Sequence, residues 1–358
     1  MEYKLEDVTE YSNKKIEIDK INCNNYVSTE NMLPNKLGIV SASSIPKQNK
    51  VCYFEKDSIL ISNIRPYFKK IWFASCDGGC SNDVLNIKVS DTSKVIPKFL
   101  YYLLLQDEFF DYIMSGNKGT KMPRGDKKHI MNYTINIPNI ETQIKIISIL
   151  ENLDKKIELN NQINDNLFKL EKALYKDFLE KLNNYRQEKL GELCKIKYGK
   201  GLPTTKIEKD GYPVYGGNGI IGYYHNFMYD DSQVLISCRG AASGNVIISK
   251  PKSFITNNSL ILECDRKYHH YLKQYSLDNY YYEYTTGSAQ PQITIDNIKD
   301  IVINIPKDEE LLDFNKNMEV LEQKCFSNLK EIERLEQLRD TLLPKLMNGE
   351  IGLDKIEI

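Results

Sequence analysis

The chain has 358 residues and a mass of 41.5 kDa, which is too long for one compact core and predicts two or three domains. A hydrophobic content of 41%, a charged content of 27% and 24 tyrosines exclude a disordered chain. The net charge of −1 excludes a uniformly basic nucleic-acid coat. The longest apolar run, residues 99–105, is far shorter than the roughly 18 residues of a membrane span. With no signal peptide at its start, the sequence predicts a cytoplasmic protein without a membrane partner.

The first predicted module covers residues 1–141 and mixes strands with a helix. Apolar runs bounded by turn residues predict strands over 58–62, 84–89 and 134–137, and residues 99–114 predict a helix. Basic side chains collect in its loops beside asparagine and serine, which suits contact with DNA, although such runs are often only solvated faces. The candidate DNA-contacting residues of this module are Arg65, Lys69, Lys118, Lys121 and Arg124.

A long helix follows this module, and we assign residues 142–186 to it as a spacer. Apolar residues recur at spacings of three and four over 142–182, which predicts a coiled-coil helix on the order of 60 Å long. Asn160 falls on this seam or faces solvent, and Leu170 shares the same spacing. The predicted core residues are Ile146, Leu150, Leu153, Ile157, Asn160, Leu167 and Leu174.

The second module, residues 187–308, repeats the mixture of strands and helix. Strands are predicted over 234–237, 246–249, 259–263 and 301–305, and a tyrosine-rich helix over 268–284. The glycine-rich stretch 215–222 lacks the GxxxxGK[ST] pattern of a phosphate-binding loop, so a tight loop is the better interpretation. The candidate DNA-contacting residues here are Lys200, Asn218, Arg239, Asn257, Gln290 and Gln292.

A second long helix occupies residues 309–358, where 12 acidic and 7 basic side chains leave an acidic excess. Its apolar stripe has the length and period of the first, so the two helices are expected to pack against each other within one chain. Pro344, close to Asn348-Gly349, should stop or kink this helix. Its predicted core residues are Met318, Leu321, Cys325, Asn328, Leu335 and Leu342, with Leu338 at the same spacing.

The two halves of the chain are an internal repeat. At an offset of 168, Asn136-Ile137-Pro138 falls on Asn304-Ile305-Pro306, and the two helical stripes coincide. Upstream the offset becomes 175 at Leu60-Ile61-Ser62 and 185 at Lys4-Leu5. The expected fold class is α+β, with two globular mixed α/β domains separated by two long helices. These helices should form an antiparallel intramolecular coiled coil with pseudo-twofold symmetry.

Catalytic and metal-binding patterns are absent from the sequence. The four histidines form no HExxH, no GxSxG elbow occurs, and the eight cysteines form no CxxC pair. The cysteines fit reduced thiols better than a disulfide framework. The [DNS]PP[YFW] tetrad of an amino-methylating enzyme is also missing. We therefore expect no catalytic residue, no metal ligand and no cofactor bound by this chain.

Three passages carry a family resemblance. KLGELCKIKYGKGLP with YPVYGGNGIIGYY (189–203 and 212–224) is similar to the start of a target-recognition domain in DNA-specificity (S) subunits of type I restriction–modification systems. NIPNIETQIKIISILENLDKKIELN (136–160) resembles the helix that follows such a domain in this family, and LRDTLLPKLMNGEI (338–351) resembles its C-terminal helix.

This resemblance implies a non-catalytic DNA-recognition subunit. Its target-recognition domains, 1–141 and 187–308, would each read half of a bipartite site in double-stranded DNA. The helices would set the gap between the halves and dock two methyltransferase subunits, which restriction/translocase subunits join. S-adenosylmethionine and ATP with Mg²⁺ would be used by those partner subunits. The resemblance assigns no base contact to any single residue.

Two alternatives remain open from the sequence. A protein scaffold that does not bind DNA is disfavoured by the paired basic loops. A remnant of a fused restriction–methylation enzyme is disfavoured by the missing methyltransferase motifs.

Overall fold

The computed structural model describes residues 1–116, 122–182, 184–279, 281–287 and 290–352. The chain forms two compact units: unit 1 comprises Met1–Glu158 together with the chain from Glu333 onward, and unit 2 comprises Leu159–Ile332. The candidates Lys118 and Lys121 lie outside the described residues. Within the described ranges, no helix has both the length and the apolar character needed to cross a bilayer.

Unit 1 contains two four-stranded sheets and one two-stranded sheet. Its elements are β1 (Glu2–Lys4), β2 (Thr9–Tyr11), β3 (Lys15–Glu17), β4 (Tyr26–Val27), β5 (Lys50–Phe54), β6 (Ile59–Ser62), β7 (Ile71–Phe73), β8 (Gly78–Cys80), β9 (Val84–Val89), α1 (Pro97–Leu104), α2 (Asp107–Ser115), α3 (Lys127–Met131) and β10 (Thr134–Asn136). The main sheet has the order β2-β9-β6-β7 and is antiparallel. The second sheet has the order β3-β5-β8-β4, and β1 pairs with β10.

The main core of unit 1 lies between its main sheet, α1, α2 and the long helices. Phe99, Phe109 and Phe110 are fully buried there with the inward residues of β6 and β9. The single helix predicted over 99–114 is two helices, because Gln106 adopts an extended conformation and ends the first one. Asp107 and Glu108 then stand in the first turn of α2, where acidic side chains favour a helix start.

Unit 2 contains one four-stranded, one three-stranded and one two-stranded sheet. Its elements are β11 (Tyr185–Lys189), α5 (Leu190–Leu193), β12 (Cys194–Tyr198), β13 (Tyr212–Gly216), β14 (Gly219–Tyr224), β15 (Val234–Ser237), β16 (Val246–Ile248), β17 (Phe254–Ile255), β18 (Ser259–Cys264), α6 (Arg266–Asp278), α7 (Ile295–Ile298) and β19 (Val302–Pro306). The main sheet has the order β12-β18-β15-β16, the second sheet β14-β13-β17, and β11 pairs with β19.

In unit 2 the expected tight loop is present, but the predicted tyrosine-rich helix is shorter than expected. The glycine-rich stretch forms the β13–β14 hairpin, where Gly219 has a φ of 105° that favours glycine, so the expected tight loop is present. The helix predicted over 268–284 is shorter, because α6 ends at Asp278 and Asn279 leaves the helical conformation. The side-chain amide of Asn279 donates to the carbonyl of Tyr275 at 2.8 Å, and its backbone amide donates to the same carbonyl at 3.1 Å, which closes the last turn.

Two long helices, α4 (Ile140–Lys181) and α8 (Asp308–Met347), contribute to both units. In unit 1, Ile146 and Leu150 near the start of α4 share a buried cluster with Leu343 and Leu346 near the end of α8. In unit 2, Phe178 near the end of α4 stacks on Phe314 near the start of α8, with ring centroids 4.5 Å apart. The helices are therefore antiparallel within each unit, as predicted.

The predicted first spacer, 142–186, extends too far. The helix ends at Lys181, and Tyr185–Lys189 forms a strand because its backbone pairs with β19. Pro344 does not stop the second helix, which continues to Met347. A proline removes one amide donor, while Leu343 and Leu346 are buried on either side of it and hold the helix in place.

The predicted seam residues lie at or near the helix contacts. Ile146, Leu150, Ile157, Asn160, Met318 and Asn328 are buried, and Leu153, Leu167, Leu174, Leu321, Cys325, Leu335 and Leu342 are partly buried. Leu170 and Leu338 are 45% and 44% exposed and lie off the seam, because the phase of an α-helix drifts against a fixed spacing. Asn160 and Asn328 are 6% and 1% exposed, so both asparagines lie on the seam and do not face solvent.

Candidate nucleic-acid interface

In unit 1, the loop after β6 is tied by its backbone to the segment before α3. The amide of Arg65 donates to the carbonyl of Pro123 at 2.8 Å, and the amide of Gly125 donates to the carbonyl of Asn63 at 3.2 Å. Ile64 forms a β-bridge with Arg124 between these two bonds. We call residues 63–65 and 123–125 the tied loops of unit 1.

The equivalent loops of unit 2 are tied in the same way. The amide of Gly240 donates to the carbonyl of Pro291 at 3.0 Å, and the amide of Ile293 donates to the carbonyl of Cys238 at 3.1 Å. Arg239 forms the β-bridge, with Gln292 as its partner. Each bond matches its unit 1 counterpart at the sequence offsets of 175 and 168. Residues 238–240 and 291–293 are therefore the tied loops of unit 2.

The tied loops of unit 1 present two arginines. Arg65 is exposed and adopts a left-handed conformation, with a φ of 49°. Arg124 is 55% exposed and reaches Asp83, with Nη2 3.2 Å from Oδ1. Both guanidinium groups are thus available to a ligand at the surface.

Lys69, the third candidate of unit 1 that lies within the described residues, is already paired. Lys69 lies 2.8 Å from Asp107, and Lys36 lies 2.6 Å from the same carboxylate. Partial burial by itself raises the pKa of Asp107, but the two lysines outweigh it and hold that pKa below its usual value. Lys69 therefore fixes the loop to α2 more than it offers a free charge.

The candidates of unit 2 gather around its tied loops. The backbone of Gly199 packs against the carbonyls of Ile255 and Thr256, so closely that a Cβ on Gly199 would lie 2.2 Å from the oxygen of Thr256. This contact places Lys200, the next residue, near Asn257. The amide of Cys238 donates to the carbonyl of Asn258 at 2.9 Å, which joins that segment to Arg239.

The hairpin turn of the second sheet completes this cluster. A Cβ on Gly217 would lie 2.9 Å from Ser237 Oγ and 3.4 Å from the oxygen of Asn258, so the turn carrying Asn218 packs against the same loops. Gln290 is exposed two residues before Gln292. The loop cluster of unit 2 therefore contains Lys200, Asn218, Arg239, Asn257, Gln290 and Gln292.

This arrangement suits recognition of a duplex. An arginine fork pairs with two acceptors of guanine, the amides of asparagine and glutamine pair with adenine, and lysine contacts phosphate. Among the residues that the structure describes, the side chains of Arg65, Lys200 and Arg239 form no ion pair. A polyanion could bind these three side chains without breaking an internal salt bridge.

Sequence reasoning missed one residue beside these candidates, Asp83, whose carboxylate pairs with Arg124. A signal was present, because the offset of 175 places Asp83 on Asn258, whose carbonyl accepts from Cys238 of the tied loops. Applying the repeat to polar loop residues, and not only to apolar ones, finds Asp83. Asn63, within the tied loops, has a buried Oδ1 with no hydrogen-bond partner among the described atoms.

One group in the described part of the chain has the composition of a metal site. Potential ligand atoms of His269, His270 and Glu322 lie within 4.8 Å of one another. The ammonium of Lys273, however, lies 3.1 Å from Glu322 and 3.2 Å from Glu171. A cation already neutralises these carboxylates, so the group fits a buried ion-pair network better than a metal centre.

Comparison with known proteins identifies the family. The model for the type I restriction modification DNA specificity domain matches residues 1–169 and 183–342. The chain belongs to this family. The HindI specificity subunit of Haemophilus influenzae is 25% identical over 98% of this chain and 99% of that protein. The MjaIX specificity subunit of Methanocaldococcus jannaschii is 23% identical over 73% of this chain and 71% of that protein.

A solved structure supports the fold of this specificity-family chain. The crystal structure of the type I restriction–modification S subunit from M. genitalium aligns with a TM-score of 0.60 and 19% identity, over 97% of this chain and 95% of that one. The family model confirms the predicted family, and the structural likeness agrees with the predicted fold class of two mixed domains with two long helices. The relatives are named specificity subunits, in agreement with a DNA-recognition role without catalysis.

Proposed function

We propose that this chain is the sequence-reading subunit of a type I restriction–modification complex, and that its two units each read one half of a bipartite DNA site. The observation that carries the proposal is that the tied loops share their backbone bonds but differ in side chains. Arg65 and Arg124 of unit 1 correspond to Gly240 and Gln292 of unit 2, and Ile64 corresponds to Arg239. Two units with the same loop backbone and different loop side chains are suited to a DNA site whose two halves differ in sequence.

The contacts divide by chemistry into two kinds. Arg65, Arg124, Arg239, Asn218, Asn257, Gln290 and Gln292 carry groups that can pair with base edges. Lys118, Lys121 and Lys200 are assigned to phosphates, because a lysine provides a point charge without a fixed fork, whereas Lys69 stays paired with Asp107. Base contacts then set the sequence, and phosphate contacts set the position on the duplex.

The remaining assignments follow from membership in the family. Residues 1–141 and 187–308 act as target-recognition domains, and the long helices α4 and α8 act as the spacers. Two methyltransferase subunits bind these helices, and restriction/translocase subunits complete the complex. S-adenosylmethionine and ATP with Mg²⁺ are used by those partners.

This function is tested by mapping the methylated bases in the genome of a host strain that has no other adenine methyltransferase. The chain is expressed there with its methyltransferase subunits, and the control strain lacks only this chain. We expect methyladenines in one two-part motif with a fixed gap, present only when the chain is expressed. Methylation that persists without this chain, or occurs in one uninterrupted motif, contradicts the proposal.

A further inference from the structure

Three side chains form a row across the second sheet of unit 1. Lys15 of β3 is the register partner of Cys52 of β5, and Cys52 is the register partner of Cys80 of β8. Directly opposite residues project to the same face of a sheet. The row therefore brings an ammonium and two thiols together, and Lys15 Nζ lies 3.1 Å from Cys52 Sγ.

The surroundings of Cys52 favour its thiolate. A hydrogen bond from the Cys80 thiol lowers the pKa of Cys52 most, burial opposes this shift, and Lys15 and Lys127 lower the pKa further. Cys52 Sγ also lies 3.3 Å from Oδ1 of Asn82, which accepts from the thiol form. Rotation of that amide presents its NH₂ group to the thiolate. Tyr26, on β4 beside β8, has a pKa raised first by burial and then by Cys80, and it stays neutral.

The strand pairing places Cys52 and Cys80 at a backbone spacing that a disulfide can span. The amide of Tyr53 donates toward β3, to Lys14, and the amide of Gly79 donates toward β4, to Asn25. The backbone groups of Cys52 and Cys80 must then face each other as a hydrogen-bonded pair, for which the Cα separation is about 5.5 Å. Disulfides usually join Cα atoms roughly 4.4–6.8 Å apart.

We propose that Cys52 and Cys80 are a peroxide-reactive dithiol, in which Cys52 is the attacking thiolate and Cys80 the resolving thiol. Cys52 attacks hydrogen peroxide, an S–O bond forms as the O–O bond breaks, and the released hydroxide takes a proton to give water. The Cys80 sulfur then displaces the oxygen of the Cys52 sulfenic acid, which leaves as water with the Cys80 proton. The two thiols lose two electrons and one peroxide is reduced.

Unit 2 contains an internal control for this chemistry. Cys194 of β12 and Cys264 of β18 are also register partners on neighbouring antiparallel strands. Burial raises the pKa of each of these thiols to about 12, so neither supplies a thiolate at neutral pH. Reactivity confined to the first pair would show that the surroundings of the thiols, and not strand register alone, decide it.

The test treats the full chain, without DNA, with hydrogen peroxide at pH 7 and maps linked peptides by non-reducing mass spectrometry. We expect a Cys52–Cys80 linkage while Cys194 and Cys264 stay reduced. Cys80→Ser should leave a sulfenic acid on Cys52 that dimedone traps. Because no DNA is present, the result is independent of the proposed recognition function.

A second measurement requires no oxidant. Iodoacetamide at pH 7 should alkylate Cys52 faster than the exposed Cys76, and Lys15→Met should slow Cys52, about tenfold for each unit by which its pKa then exceeds 7. Lys15→Arg should retain the fast rate. Equal oxidation of the two cysteine pairs, or alkylation of Cys52 no faster than Cys76 in the wild type, overturns the proposal.

Discussion

The main sheets of the two units are the same structure built from different residues. Thr9 pairs with Val89 in unit 1 as Cys194 pairs with Cys264 in unit 2, at offsets of 185 and 175. The pairings β6–β7 and β15–β16 match equally, residue by residue. An antiparallel register is fixed by which face is buried, so a one-residue slip would expose the core. The repeat is therefore preserved where the hydrophobic pattern constrains it.

The second sheets differ around one shared element. In both units a parallel pair forms, β4 with β8 and β13 with β17. Unit 1 adds β5 and β3 beside β8, whereas unit 2 adds the hairpin strand β14 beside β13. Divergence is thus tolerated in the second sheets, on opposite sides of the shared parallel pair.

The buried charges beneath the sheets differ as well. In unit 1, Asp154 of α4 pairs directly with Arg339 of α8 at 3.2 Å and accepts from Tyr102 at 2.6 Å. At the offset of 168 these positions become Glu322 and Glu171 in unit 2, where both residues are acidic. Lys273 of α6 lies between them. The same sites are neutralised by an ion pair in unit 1 and by a third residue in unit 2.

The largest effect should come from Lys273→Met, which leaves Glu171 and Glu322 buried without their cation. We expect a loss of about 3–5 kcal/mol in the stability of unit 2 at pH 7, measured by urea denaturation and by hydrogen exchange in α6. Lys98→Met is the matched control at the offset of 175, because Lys98 lies over the rings of Phe73, Tyr101 and Tyr102 without bridging two acids. Its cost should stay within about 1 kcal/mol. Equal losses in the two variants would remove the distinction between the units.

The pH dependence of that variant should be opposite to that of the wild type. Burial by itself raises the pKa of Glu322, but Lys273 and the neighbouring histidines lower it below 4.5 in the folded chain. Its contribution is therefore present above pH 4.5 and is lost as pH falls through the lowered pKa. Lys273→Met removes the largest of the influences that oppose burial and leaves only the neighbouring histidines, so this variant should gain stability as pH falls from about 7 to 5. Urea titrations across this range check the sign.

In unit 1, Arg339→Leu should cost about 1–3 kcal/mol, less than the loss in unit 2. Asp154 is 32% exposed and keeps its hydrogen bond from Tyr102, so the remaining carboxylate is partly solvated. Arg334→Leu, at an exposed position of the same helix, is the control. A loss above that of Lys273→Met would reverse the ranking of the two networks.

The comparison of the tied loops is tested by Arg239→Ala and Arg65→Ala. Each should weaken DNA binding by about 1–3 kcal/mol and relax sequence preference in one half-site only, a different half for each variant. Competition binding against randomised half-sites, with the methyltransferase subunits present, measures this. A uniform loss across all sequences would instead assign the arginine to the phosphate backbone.

The smallest effect concerns the helix seam of unit 2. Asn328 Nδ2 donates to Asn164 Oδ1 at 2.9 Å, while Oδ1 of Asn328 is buried without a described partner. Replacing both by leucine should stabilise the chain by about 1 kcal/mol, because no donor or acceptor is left unpaired. Asn164→Leu alone should destabilise it by a similar amount. Thermal denaturation distinguishes the two, and a destabilised double variant would show that the asparagine pair is needed for packing.

Much of the fold could be predicted because apolar residues recur along the sequence with the period of a strand or of a long helix. The strands at 84–89 and 234–237 were predicted with the bounds they have. Helix ends were less accurate where a local contact decided them, as at Gln106 and Asn279. The candidate site was predicted as residue types in loops, but the pairing of Lys69 with Asp107 was not, because Asp107 lies on a helix distant in sequence. Whether the named residues contact bases stays a prediction.

Sequence alone determined the duplicated plan, the two amphipathic helices and the family, since each depends on the order of residues along the chain. Tertiary structure decided which charges meet. The backbone bonds that tie Arg239 to Gln292, and the packing of α6 that carries Lys273 between two glutamates, join segments more than 45 residues apart. Such contacts depend on distances across a folded core, which no local pattern encodes.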